Sequence, residues 1–256
     1  MEWSGEGYAA VSGLQKWLAD ESLAQLQWRF RDEVLDLGCG DGRITAEIAP
    51  RVAQAVGVDL SDSMVEFARQ HHPLDNLKFF QGDARTFRSS QPFDRIVSFN
   101  ALHWIPEAEQ PEVFETLAAS LKPKGQAHIR LVGAGPVLSL EDVLEQVREL
   151  PHWREFFADF SKPFCHPTLE QCRLWANQAG LQLVEHRLEQ KSWDFGSRQA
   201  FEHWGQATFV NWSGQVPEER RGDFVREVVE SYPSSPVFTF YQLVFEARPT
   251  AGNLAL

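Results

Sequence analysis

The stretch Val34-Leu-Asp-Leu-Gly-Cys-Gly-Asp-Gly42 decides the fold. Glu33–Leu37 is a short, mostly apolar run of strand length. It empties into a loop with glycine at 38, 40 and 42, and Arg43–Val52 then takes up helical patterning. A strand that feeds a helix through bare backbone is the opening unit of a doubly wound α/β domain. Outward from this unit the alternation continues. Strands are expected at Ala55–Asp59, Leu77–Gln81 and Phe93–Asn100, with helices at Ser61–His71 and Pro111–Leu121. Pro123-Lys-Gly125 reads as a turn before a fifth strand at Gln126–Val132. Ser61 is a natural N-cap with Asp62 in the first turn behind it. This order implies a mostly parallel sheet with helices on both faces.

On either side the pattern changes. Upstream, Leu14, Trp17, Leu18, Leu23 and Leu26 fall near helical spacing. After Gly133, helices are expected at Leu138–Leu150, at the capping box Thr168–Gln171 running to Gly180, at Ser197–Thr208 and at Pro217–Tyr232. Long strands are expected at Leu181–Trp193 and Val237–Ala247, with a frayed tail after Pro249. His152–Phe160 is short and rich in rings. The chain thus divides into an N-terminal helical segment (1–30), a core (31–132) and two cap segments (133–167 and 192–236) within one domain.

Bulk properties narrow the function classes. At 256 residues and 43% hydrophobic content, the chain suits one elaborated α/β domain and not a disordered segment. No run approaches the roughly 20 apolar residues of a membrane span, and the first residues do not read as a signal peptide. The net charge of −12 argues against a nucleic-acid partner. Cys39, Cys165 and Cys172 form no CxxC pair, so neither a zinc site nor a disulfide framework is expected and a reducing cytoplasm fits. Cys39 reads as a small residue filling a tight turn ahead of a nucleophile.

Carboxylates at successive strand ends carry the chemistry. Asp36 lies inside the glycine motif, Asp59 closes the second strand and Asp83 follows the third in Gln81-Gly-Asp-Ala84. Near a GxGxG loop these acids would repel a pyrophosphate and balance a cation. Asp59 can accept both ribose hydroxyls of an adenosine. Asp83 can accept from an adenine amino group while the Ala84 N–H donates to the ring. A nicotinamide-dependent oxidoreductase is thereby disfavoured.

Here the chain resembles the class I S-adenosylmethionine (SAM)-dependent methyltransferases. The matching pieces are VLDLGCGDG (34–42), VGVDLSDSMVEFAR (56–69), FFQGDA (79–84), FDRIVSFNALHWI (93–105) and LKPKGQAHI (121–129). The resemblance implies a Rossmann-like, seven-stranded sheet with its last strand antiparallel, and a helical cap over the acceptor site. It implies SAM as cofactor, no metal, and residues 31–132 as the SAM-binding core. Gly38 and Gly40 would meet the methionine end, Met64 the adenine, and Asp83 with Ala84 its edge; Tyr8, Asp36, Cys39 and Leu60 would also bind the cofactor. Asn100 would line the mouth. A closer likeness, in Asn100-Ala-Leu-His-Trp-Ile105, the Tyr8 and Gln15 region and Ser197–Trp204, is to the trans-aconitate and juvenile hormone acid methyltransferase group. It implies a carboxylate on a small-molecule acceptor, with Gln15 and Trp104 orienting the acceptor or the sulfonium.

Methyl transfer is an in-line displacement that asks mainly for alignment and exclusion of water. A carboxylate acceptor needs no general base; an amine or hydroxyl usually does, and His103 is the residue placed for it. Arg130, Arg154, Arg198 and His203 are carboxylate-anchor candidates that read first as surface charges. N- or C-methylation of a natural product, methyl ester formation on a malonyl carrier protein, and SAM binding without catalysis are the alternatives.

Overall fold

The computed structural model describes residues 13–250. Helix α1 (Gly13–Gln25) precedes β1 (Glu33–Leu37), α2 (Arg43–Ile48), β2 (Gln54–Asp59), α3 (Asp62–His71), β3 (Leu77–Gln81) and β4 (Phe93–Phe99). Then come α4 (Gln110–Ser120), β5 (Leu121–Val132), α5 (Leu140–Arg148), α6 (Leu169–Gln178) and β6 (Leu181–Asp194). The chain closes with α7 (Arg198–Thr208), α8 (Val210–Ser213), α9 (Arg221–Ser231) and β7 (Val237–Pro249). The seven strands form one sheet in the order β3-β2-β1-β4-β5-β7-β6. Strands β1 to β5 pair in parallel, and β7 runs against both β5 and β6. The expected antiparallel last strand is therefore present.

Strand order reverses between β1 and β4, which opens a crevice beyond their C-terminal ends. Register puts the neighbouring ends level: Leu37 pairs with Val58, and Asp59 with Gln81. Acids well apart in sequence thus meet at one edge of the sheet.

Local signals explain the helix starts. Ser61 accepts from the Met64 N–H, and Ser197 from the Ala200 N–H. Ser139 with Asp142 and Thr168 with Gln171 form capping boxes. One core cluster lies on each face of the sheet. A third, built largely of rings, gathers Trp153, Phe157, Phe201, Trp212, Phe224 and Phe238 beyond the end of β5. Leu14 and Leu18 of α1 join this ring cluster.

Three expectations need correction. The Pro123-Lys-Gly125 turn is absorbed into β5 as an irregularity: Phe93 pairs with Leu121 and Arg95 with Gln126. Trp17 is 40% exposed, on the outer side of α1, where its ring lies near Trp193. Arg130 is no surface charge; it is fully buried. Its guanidinium donates to the side-chain Oε1 of Gln242, the Leu18 main-chain carbonyl, Ser22 Oγ (2.7 Å) and Glu21 Oε2 (2.6 Å). It ties α1 to β5 and β7, and its donors are spent on protein. Arg154, Arg198 and His203 are exposed, as expected.

Replacing a buried, fully bonded cation strands its acceptors. Arg130→Met is expected to lower unfolding stability by about 3 kcal/mol, read as an earlier midpoint in urea denaturation.

Candidate active site

The crevice at the strand ends has a volume of about 630 Å³. Asp36, Gly38, Cys39, Gly40 and Asp59 line it from the first two strand ends, with Leu60 and Met64 beyond. Asp83, Ala84, Asn100 and Trp104 complete the expected set there. Gln15 lies in α1, and Tyr8 lies outside the described residues.

Each glycine of the loop has its own reason. All three have positive φ, at 80°, 54° and 76°. A Cβ on Gly38 would stand 2.2 Å from Ala101 Cβ, and one on Gly42 would stand 2.6 Å from Ala68 Cβ and from the Phe79 ring. Those two permit packing of protein on protein. A Cβ on Gly40 would meet nothing within 4 Å, because it faces the crevice.

The loop amides are used internally. Gly38 and Cys39 both donate to the Val58 carbonyl, at 2.7 and 3.0 Å. Gly40 donates to Asp59 Oδ2 at 2.8 Å. An anion would find few donors here, and a cation finds carboxylates. Asp59 also accepts from the Ser61 N–H; burial raises its pKa while these backbone bonds lower it. Asp36 is buried and accepts from Thr45 Oγ1 at 2.6 Å. Burial, helped by the Asp59 and Asp41 charges, pushes its pKa up to about 7. Asp83 is gripped by Arg85, which holds its carboxyl below the usual range and also pairs with Glu109. Burial drives the Cys39 thiol pKa well upward, which suits the space-filling reading and not a nucleophile.

Behind the crevice lies a second, smaller pocket of 80 Å³. Asn100 and Trp104 line both, so they form the passage between them. Asn100 has φ 55°, donates its N–H to the Arg130 carbonyl, and accepts from the Gln242 amide at 2.8 Å. His103, Trp204, Phe209 and Phe240 wall the inner pocket with Leu14 and Leu18. His103 is buried, and burial holds its pKa well below the usual value. Its Nδ1 accepts from the Val132 N–H at 3.5 Å, so the neutral ring carries its proton on Nε2.

Several contributors were not read from the sequence. Thr45 anchors Asp36, and Gln110 donates to the Leu102 and Ile105 carbonyls, fixing the segment that presents His103 and Trp104. Gln242 holds Asn100 from β7. Each is a lone polar residue, and only its burial marks it. Among the described residues no group of three or more His, Cys, Asp or Glu side chains is placed to hold a metal ion, and no helix is long and apolar enough to cross a membrane.

Comparisons with known proteins agree with the fold. A methyltransferase-domain family matches residues 34–125. A candidate methyltransferase of Invertebrate iridescent virus 6 is 26% identical over 90% of this chain and 85% of its own length. Trans-aconitate 2-methyltransferase of Deinococcus radiodurans is 35% identical over 49% of this chain, and juvenile hormone acid O-methyltransferase of Bombyx mori 29% over 57%. The matched regions span 47% and 54% of those two relatives, about half of their length. The fold is shared with a SAM-dependent methyltransferase from Thiobacillus denitrificans in complex with S-adenosylhomocysteine (TM-score 0.55, 19% identity, 90% of each chain).

The glycines separate binding from stability. Gly40→Ala is expected to cost about 1–2 kcal/mol from its left-handed backbone yet to weaken S-adenosylhomocysteine binding at least tenfold. Gly42→Ala adds a steric clash to the same backbone cost and is expected to destabilise more. Calorimetric titration beside urea denaturation reads both quantities.

Proposed function

We propose that this chain, a SAM-dependent methyltransferase of the class I fold, methylates the carboxylate of a small, largely apolar acid. One observation carries the reading: a carboxylate-lined crevice whose loop amides are already satisfied opens, past Asn100 and Trp104, into a ring-lined pocket. SAM supplies a methyl group activated by positively charged sulfur. In this reading Asp36 balances the cofactor's positive charge, Gly40 leaves room for it, and Asp59 accepts from the ribose hydroxyls. Leu60 and Met64 flank the adenine, with Asp83 and Ala84 at its edge. Segments 133–167 and 192–236 act as the cap that excludes water.

The acceptor enters the inner pocket with its carboxylate at the Asn100–Trp104 passage. A carboxylate oxygen forms the new bond to the methyl carbon as the carbon–sulfur bond breaks toward sulfur, and no proton moves. His103 suits this role, since a neutral ring with Nδ1 engaged donates from Nε2 and does not abstract. Support for an acid acceptor also comes from the two relatives named for trans-aconitate and for juvenile hormone acid. Incubation with SAM and a panel of monocarboxylic acids, with mass-spectrometric detection of methyl esters, tests it. Methylated amines in place of esters would overturn it.

Two pH dependences follow. Asp36 titrates at about 7 without ligand, and a cation beside it favours the ionised form. Binding of SAM at pH 7 is therefore expected to release about half a proton, and affinity to rise with pH up to about 7 and level off above. Titration calorimetry in buffers of different ionisation enthalpy measures the release, which Asp36→Asn should abolish. Ester formation at saturating SAM is expected to stay level from about pH 7 to 9, because no base is being unmasked; a rate rising through that range would mean deprotonation is required.

A further inference from the structure

A guanidinium can only donate hydrogen bonds, and Arg130 thereby fixes the direction of the two carboxamides that lead from it to the passage. Arg130 Nε donates to Gln242, so the oxygen of that carboxamide, Oε1, is turned to the guanidinium. Its nitrogen, Nε2, then faces Asn100 and donates to Asn100 Oδ1 at 2.8 Å. Asn100 Oδ1 is spent, and Nδ2 is left as the free end. The two ends of a carboxamide differ little in size and could exchange by half a turn. A neighbour that cannot accept forbids the exchange at both residues in turn. The guanidinium is itself anchored: its other donors go to Leu18, Ser22 and Glu21, and Lys191 donates to the second Glu21 oxygen at 2.8 Å.

The free end lies where a ligand can reach it. Gln242 and Arg130 are fully buried, whereas Asn100 is half-buried and borders both the crevice and the inner pocket. Its Nδ2 has no hydrogen-bond partner among the described residues, yet it is not sealed from solvent. The backbone is held as well: φ is 55°, and the Asn100 N–H donates to the Arg130 carbonyl at 2.8 Å. Position and polarity of this donor are thus set before a ligand arrives. No Lys or Arg lines the inner pocket, and Arg85 of the crevice is already paired with Asp83 and Glu109.

Resting on the acid-methylation reading above, we propose that Asn100 binds the acceptor: its Nδ2 donates to the carboxylate oxygen that does not attack. Gln242 and Arg130 are positioning residues that keep Nδ2, and not Oδ1, turned to the acceptor. The arrangement selects for an acceptor that presents a bare oxygen at the passage and against one that presents an N–H.

Two experiments test it. In the first, the Asn100 side-chain amide signals, assigned by their loss in Asn100→Asp, are followed by heteronuclear NMR of the S-adenosylhomocysteine-saturated protein. Octanoic acid and the other monocarboxylic acids of the panel above are added, and the Nδ2 protons are expected to move downfield as an acid binds. A shift already complete with S-adenosylhomocysteine, and none further with acid, would give the donor to the cofactor and overturn the proposal. The second experiment turns the amide round without altering it. In Gln242→Glu one carboxylate oxygen keeps Arg130 and the other faces Asn100, which must donate Nδ2 to it and offer Oδ1 to the acceptor. KM for the acid is expected to rise about tenfold or more, as for loss of a hydrogen bond to a charged group, with kcat held within about threefold. The methyl ester product carries no charge but still accepts; its binding is expected to weaken about threefold, which added negative charge alone would not produce. Titration with S-adenosylhomocysteine reports whether the variant is folded, and the wild-type NMR titration decides the matter if it is not. Esters formed with an unchanged KM in Gln242→Glu, or by an acid that leaves the Asn100 signals unmoved, would overturn the role of Asn100 and leave acid methylation standing. Signals that move with acid while no ester forms would do the reverse. No shift and no ester would remove both.

Discussion

The bonding of the loop after β1 to the strand beside it governs the rest of the molecule. Two successive amides share the Val58 carbonyl, and a third is held by the Asp59 carboxylate. These bonds fix a tight left-handed path that only glycine follows without strain. They also consume the donors that would otherwise make the loop a phosphate cradle. What remains pointing into the crevice is carboxylate and open space. The sign of the acceptable ligand is thus decided by backbone hydrogen bonding as much as by side-chain identity.

The same economy operates at the opposite wall. The segment after β4 carries Asn100, His103 and Trp104 and has little regular structure of its own. Gln110 holds it from α4, and Gln242 holds it from β7. A rigid reacting centre can therefore sit on irregular backbone, because helices and strands on two sides supply the hydrogen bonds that it cannot make internally.

Much of this was legible in the sequence because it is periodic or local. Strand β1, the glycine loop, the Ser61 cap and the Thr168–Gln171 box each declare themselves within a few residues. The antiparallel β7 and the place of Asn100 were implied by the family resemblance, and Asp36 and Asp59 by their positions at successive strand ends. Long-range polar contacts were not legible. Arg130 looks like any strand arginine until β7 and α1 close over it, and Glu141 looks like an ordinary first-turn acid. Pro123-Lys-Gly125 has every local mark of a turn, yet pairing with β4 on either side draws it into β5. Burial is a property of the assembled fold, and single residues carry no trace of it.

Leu18 has two duties. Its side chain walls the inner pocket while its carbonyl is clasped by the Arg130 guanidinium. Edging α1 outward to admit a bulkier guest would strip a buried positive charge of its partners, a penalty of about 3–5 kcal/mol. Soft packing alone would yield more readily to a wide molecule. On this side the girth of the guest is therefore gauged by electrostatics, and a measure of size is enforced by charge.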